Sequence, residues 1–452
     1  MNLKKKPQFP DGKKLKRQSA NENGKNDMAQ RANIQLCYGK CGLTLPIDPG
    51  AATWQIIKPG EAVAAGVGRS VFFESMDNPI GSPPLNELVR RDDRVVIVTS
   101  DGTRPVPNHL LIPWLVDALP VPPDRITVLL GNGGHRPNTD AELRVMFGND
   151  TATSIDICNH DAFDRAGLVD LGKSESGIPC LLNRVYAEAD VRIAVGMIEP
   201  HFFAGYSGGE KAIVPGVAGI DTILDIHNAA LIGDAKSTWG TLHDNPIRQK
   251  IHELVSMRPP QFLVNFVPDP AGNMAALFAG DPVLAHEQGC RFCREHSFVA
   301  VDDRYDLVIT TNCGYPLDQN IYQAVKGLSA AANIVRPGGS ILLASECSDG
   351  VASHTHFRDI MKTGDSAEDV LRWIYAQPRT AVDQWQAQVL AQVLQKAQVA
   401  AFTSADDDLV RDLRMEPVHE LAAYLDEFIA TFSGKPRIAV LPFGFQAVPV
   451  SG

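Results

Sequence analysis

The sequence predicts an α/β protein of two domains, each a largely parallel sheet flanked by helices, with the active site in the interdomain cleft. Three observations carry this. At 452 residues the chain exceeds what one ordinary core accommodates. Short Val/Ile/Leu runs end in small residues, as strands buried on both faces do, and alternate with helix-periodic stretches. The pattern then restarts near residue 300, which divides the chain into units 28–300 and 301–452.

Taken in order, residues 1–27 carry eight Lys/Arg and three acids with little to bury. They read as a disordered basic tail ahead of Met28. The first strands are RVVIVTS (94–100), RITVLLG (125–131) and DVRIAVGM (190–197). Between the first two, NHLLIPWLVDAL has helical periodicity, and after the second, Thr139 with Glu142 forms a capping box for TDAELRVMFG. Strand–helix–strand order of this kind predicts right-handed crossovers. Beyond residue 300, YDLVITTN, GSILLASEC and RIAVLPFG are further strands, and AVDQWQAQVLAQVLQKAQ is a helix.

Composition narrows the function. With 44% hydrophobic and 21% charged residues the chain reads as soluble and globular. A formal charge of −11 argues against nucleic acid or an anionic membrane as the main partner. No apolar run is long enough for a membrane span, and the basic start lacks the apolar stretch of a secretion signal. Eight scattered Cys without a framework fit reduced thiols and a cytoplasmic location. Cys290, Cys293 and His296 have metal-like spacing, but no second pair follows, and PVLAHEQGCRFCREHS reads as a helix whose thiols are structural.

Open parallel sheets bind ligands beyond the carboxyl ends of their strands. There the first strand delivers Asp101, Gly102, Thr103 and Arg104 in SDGTRP, the second His135 in GNGGHRP, and the third His201 in EPHFFAGYSGGEKAIVPG. That last loop, ending near Lys211, does not have P-loop spacing and no Ser/Thr follows its lysine, so a plain NTPase is disfavoured. A cradle for another phosphorylated cofactor, with Lys211 as ion partner or covalent anchor, remains open. His109, His354 and His356 take the ordinary reading of a helix residue and a surface pair.

As a set, DGTRP, GNGGHRP, EPHFFAGYSGGEKAIVPG, the His of DIHNA and YQAVKG resemble the nickel-dependent lactate racemase family of 2-hydroxyacid racemases and epimerases. The resemblance runs from about residue 30 to the C-terminus and includes the step from His201 to Lys211 and on to His227, and the Gln-x-x-Lys at Gln323 and Lys326. It implies a nickel-pincer nucleotide, Ni(II)-pyridinium-3,5-bisthiocarboxylic acid mononucleotide, joined covalently to Lys211. The nickel is then held by the pincer and by His227, a planar set of soft-to-borderline donors that suits Ni(II). Asp101, Gly102, Thr103 and Arg104 are expected to help hold the nucleotide, which other proteins synthesise and supply.

The chemistry supports such a cofactor independently. Proton abstraction at C2 would place a carbanion beside a carboxylate, whereas removing hydride needs only an acceptor and a base for the hydroxyl proton. Hydride returned to either face of the planar 2-keto acid gives racemisation. His135 and His201 are the expected bases, and Arg104, Gln323 and Lys326 the expected substrate-binding groups. Phe202 and Phe203 favour lactate or another short or apolar side chain. Two alternatives remain. One is an NAD-dependent 2-hydroxyacid dehydrogenase, which lacks a G-x-G-x-x-G fingerprint here; the other is a non-catalytic nickel or nucleotide carrier.

Overall fold

The computed structural model describes residues 32–60, 66–301, 304–352 and 354–451. The expected basic tail, 1–27, lies outside them. Two six-stranded sheets organise the chain. The first has the order Met274–Gly280, Phe262–Pro268, Val191–Met197, Val95–Ser100, Ile126–Gly131, Asp156–Asn159. Only its edge pair, Phe262–Pro268 with Met274–Gly280, is antiparallel. The second is parallel throughout, in the order Glu416–Val418, Ala397–Phe402, Val335–Ala344, Tyr305–Thr310, Arg437–Leu441, Thr53–Ile56.

The elements read from the sequence form where expected. The helix Asn108–Ala118 continues through Pro113, the Thr139–Glu142 capping box opens Asp140–Phe147, and Pro282–Ser297 buries Cys290 and Cys293 on one face. One segment differs. Residues 32–57, assigned by the sequence to the first unit, belong structurally with the second. Thr53–Ile56 pairs in parallel with Arg437–Leu441, and the hairpin Ala32–Leu36/Leu43–Ile47 packs Ile34, Leu36 and Leu45 against Leu307, Ile309 and Ile438. These strands are short and isolated in sequence, so only an edge supplied by distant residues completes them.

Strand alternation sorts the core into layers. Ile97, Leu130 and Ile193 face one side of the first sheet; Leu307, Ile309 and Val440 face the far side of the second. The inner faces, with Val98, Leu129 and Ala194 from one sheet and Val308, Leu343 and Ala439 from the other, belong to a single continuous core with the helices between them. A shared apolar core ties the two units together.

Each sheet reverses its direction of growth once. In the first, the chain passes from Val95–Ser100 outward to Ile126–Gly131 and later returns to Val191–Met197 on the other side. In the second, the same reversal lies between Tyr305–Thr310 and Arg437–Leu441. Loops leaving a pair of strands at such a reversal diverge and leave a crevice.

Candidate active site

A cavity opens at the first sheet's reversal and is closed by helices of the second unit. Its lining includes Asp101, Thr103, Arg104, His135, His201, Lys211, His227, Gln323 and Lys326. Of the residues assigned to the site from the sequence, Gly102 is the one not in this lining; it is exposed, and its N–H donates to Asn138 Oδ1 at 3.4 Å.

The SDGTRP turn is organised by Asp101, a carboxylate only 4% exposed. Its Oδ1 accepts from the Thr103 hydroxyl at 2.5 Å and its Oδ2 meets His135 Nδ1 at 2.8 Å. Burial pushes the carboxyl up, but the His135 ring, the Thr103 hydroxyl and Arg104 together outweigh it and hold it below the usual carboxylate range. An ionised carboxylate only accepts, so His135 Nδ1 carries the proton and Nε2 presents a lone pair. That is the arrangement of a general base.

His201 is arranged differently. Its Nδ1 accepts from the Ala204 N–H at 3.2 Å, so the neutral ring carries its proton at Nε2. The ring is 5% exposed, stacked on Phe202 at 5.0 Å and met edge-on by Phe203 at 4.5 Å. Burial, then the charges of Lys211, Lys326 and Arg104, holds its pKa well below the ordinary value. Anions bound to those three cations would relieve part of that opposition, and a second proton, which must sit on Nδ1, would displace the Ala204 N–H from it.

The protein's own packing also demands the glycines of the Gly-rich loop, of which Gly208 and Gly216 line the cavity. A Cβ at Gly205 would lie 2.0 Å from the Thr241 carbonyl oxygen, one at Gly208 2.6 Å from Asn265 Oδ1, and one at Gly209 2.7 Å from the His286 ring. All three have positive φ. The loop therefore packs against the protein itself, fixed by Gly209 N–H donating to Asn265 Oδ1 at 2.8 Å. Open backbone comes instead from GNGG: Gly134 has no heavy atom within 4 Å of a would-be Cβ, and Gly133 N–H ties this turn to Gly216 O at 2.9 Å.

This rigid loop delivers Lys211 on a short turn, Gly209–Ala212. Burial, Arg104, Arg248 and Lys326 lower its amine to about 7. Lys326, on helix Ile321–Ala332, is 5% exposed, and its Nζ has no hydrogen-bond partner. Burial first and Arg104 second lower it to about 7 also. Against these cations stands Glu199, which sequence reasoning missed, 3.5 Å from Arg104 Nε. Arg104 is thus matched by a carboxylate, whereas the Lys326 amine beside it has no hydrogen-bond partner, and an anionic ligand could supply one.

Lys326 makes this testable without any ligand. Between pH 7 and 10.5 the unfolded chain binds the lysine proton and the folded chain does not, so stability rises with pH across that window. Below pH 7 both states are protonated and the full penalty of a buried, unpaired ammonium remains. Lys326→Met is therefore expected to raise the melting temperature of the unloaded protein at pH 6, by roughly 1 °C for each ~1 kcal/mol of penalty removed in a chain of this length. It should also flatten the rise between pH 7 and 10.5, with Lys211 still contributing in the same sense. Calorimetric scans of both proteins across pH check this.

His227 ends helix Ile220–Ile226 and donates from Nδ1 to Ile223 O at 2.7 Å, leaving the Nε2 lone pair free. Burial dominates its shift to about 4, so the ring is neutral at pH 7. A neutral imidazole oriented by a backbone carbonyl is what a metal ligand requires. Trp385, not anticipated from the sequence, stands 4.7 Å from this ring. The residues present thus fit a nickel nucleotide: a free imidazole nitrogen, a lysine with a readily deprotonated amine, and Arg104 and Lys326 to meet carboxylate and phosphate.

A lactate racemase N-terminal domain model matches residues 38–240 and a lactate racemase C-terminal domain model matches 301–448. The chain belongs to the lactate racemase family. It is 36% identical over 421 residues to the lactate racemase of Lactiplantibacillus plantarum, covering 92% of this chain and 99% of that protein. It is 34% identical over 424 residues to the lactate racemase of Thermoanaerobacterium thermosaccharolyticum, with 92% and 99% coverage. The solved apoprotein from the latter organism superposes with a TM-score of 0.85 at 33% identity, over 92% of this chain and all of that one. A Thermotoga maritima protein shares the fold alone, at TM-score 0.68 and 19% identity over 87% of this chain and all of that one. Racemisation is an isomerase reaction, and the α/β architecture of two units is the family's own.

One reading from the sequence changes. His354, taken as half of a surface pair, lines the cavity, whereas His356 is exposed. The Cys290–Cys293 helix is sequestered, with Cys290 Sγ 3.5 Å from His286 Nε2. Among the described residues no helix is long and apolar enough to cross a membrane.

Proposed function

We propose that this chain is a 2-hydroxyacid racemase or epimerase acting on lactate or a related short or apolar 2-hydroxy acid. The observation that carries the reading is the pairing, in one cavity, of two imidazoles with opposite hydrogen-bonding states: His135 with a free lone pair and His201 with a free N–H. A dehydrogenase needs one such group; inversion through a planar intermediate needs one to accept the hydroxyl proton and another to return it.

Arg104, held by Glu199, binds the substrate carboxylate, and Lys326 and Gln323 complete its surroundings. His135 removes the hydroxyl proton at Nε2, while Asp101 stabilises the imidazolium that results. His201, protonated at Nδ1 as well once that nitrogen has released the Ala204 N–H, returns a proton from Nε2 and is left as the neutral Nδ1–H ring. When bound, the nickel-pincer nucleotide supplies the acceptor and donor of hydride at C2. Lys211 would hold it covalently, His227 would ligate its nickel, and Asp101, Thr103, Arg104 and the GNGG turn would line its binding site. The protein would receive this cofactor from biosynthetic proteins and work in the cytoplasm.

The test is a chiral assay on enzyme produced together with the cofactor-synthesis proteins, using lactate deuterated at C2 and a panel of other 2-hydroxy acids. Loss of optical rotation without net redox change is expected. The deuterium should slow turnover and remain largely on C2 in ordinary water. Rapid exchange with solvent would overturn hydride transfer in favour of proton abstraction.

A further inference from the structure

The cavity contains an imidazole–carboxylate pair that the mechanism above does not use. His354 Nδ1 lies 3.0 Å from Asp383 Oδ1, and Asp383 is 3% exposed with its backbone at φ 65°. The His354 ring is stacked on Tyr322 with centroids 3.7 Å apart and planes within 5°. It meets His135 edge-on at 6.1 Å. The second unit therefore presents, beside His135–Asp101, a pair of the same construction. The Asp383 carboxylate fixes the proton on Nδ1 and leaves Nε2 with a lone pair. Carboxylate and stacked ring together hold this imidazole in one orientation.

Racemisation creates a need for such a group. Each turnover in one direction leaves His135 with one proton more and His201 with one fewer, and the next turnover in that direction requires both to be reset. His201 is deeply buried, and His135 and His354 both line the cavity, so a substrate and cofactor bound there would cover the exposed part of His135 and leave it this neighbouring imidazole. We propose that His354, oriented by Asp383, is a proton-relay residue that resets His135, an inference that rests on the racemase reading. The Nε2–H bond formed on His135 breaks, an N–H bond forms at His354 Nε2 through one bridging water, and solvent takes the proton from that same nitrogen. A 6.1 Å separation of ring centroids is one that a single water spans. His354 acts through His135 and need not touch the substrate.

The experiment compares wild-type holoenzyme with His354→Gln and Asp383→Asn; asparagine tolerates the left-handed backbone at position 383. Initial rates are measured in dilute buffer and with added imidazole, alongside C2-deuterium and solvent isotope effects, with cofactor loading checked by intact mass. In dilute buffer kcat should fall about tenfold with KM nearly unchanged, less than the ~100-fold or more expected for a group exchanging a proton with substrate itself. Added imidazole should restore it. The C2-deuterium effect should shrink and the solvent effect grow, because proton reset has become limiting. An unchanged kcat overturns the relay. So does a loss that imidazole leaves uncorrected with the C2-deuterium effect at its wild-type size, the pattern of a merely structural residue. Wild-type holoenzyme that racemises no 2-hydroxy acid overturns the racemase reading instead, and the relay with it.

Discussion

His135→Ala and His201→Ala are each expected to lower kcat for racemisation by about 100- to 10,000-fold, the usual worth of a positioned acid or base, or by more. Each removes an obligatory half of the proton traffic, so neither half-reaction can compensate for the other. Both variants should retain nickel and the organic cofactor, since neither imidazole is assigned to holding them. The two are not equivalent, however. His135 is oriented by a charged partner, Asp101, whereas His201 is oriented by the Ala204 amide within a ring of cations. Asp101→Asn should therefore weaken the enzyme chiefly through His135, by less than His135→Ala does, with a smaller effect through the Thr103 turn that Asp101 also holds. A histidine variant turning over at wild-type speed would reduce that residue to a loop ligand and defeat the two-imidazole assignment.

Lys211→Ala is expected to abolish the covalent adduct and most activity. The wild-type protein made alongside the cofactor-synthesis enzymes should show an intact-mass increase that maps to the peptide containing Lys211. The physical basis is the amine itself. Burial and three neighbouring cations bring it to about 7, so a large share is unprotonated and nucleophilic near neutrality. An adduct on a different lysine would sink the assignment. His227→Ala should separate the two attachments, lowering nickel content while the organic adduct on Lys211 persists. Retention of nickel in that variant would move the metal elsewhere.

The strands Val95–Ser100, Ile126–Gly131 and Val191–Met197 were legible because strands buried on both faces are written as unbroken apolar runs. Their C-terminal loops were legible as a site because in parallel sheets those ends gather on one edge. Arg104, His135, His201, Lys211 and His227 follow from that rule together with the motif set. Glu199, Trp385 and the His354–Asp383 pair were not legible. Glu199 matters only because Arg104, on another strand's loop, comes within 3.5 Å. His354 looks like a surface histidine in SHTHFRD until Tyr322 and Asp383, 32 and 29 residues away in sequence, pack around it.

By itself, then, the sequence determined the α/β class, the strand edge at which the candidate site residues gather, and the residue types found there, because periodicity and loop motifs are local properties of the chain. Tertiary structure alone decided that residues 32–57 complete the second sheet, and that one apolar core runs between the two units. It also decided that the loop glycines accommodate Thr241, Asn265 and His286. The protonation of the site is of the same kind. Which nitrogen of His135 or His201 bears the proton, and how far Lys211 and Lys326 fall from their ordinary pKa, depends on burial and on charges contributed by distant segments, and neither is written in any local stretch of residues.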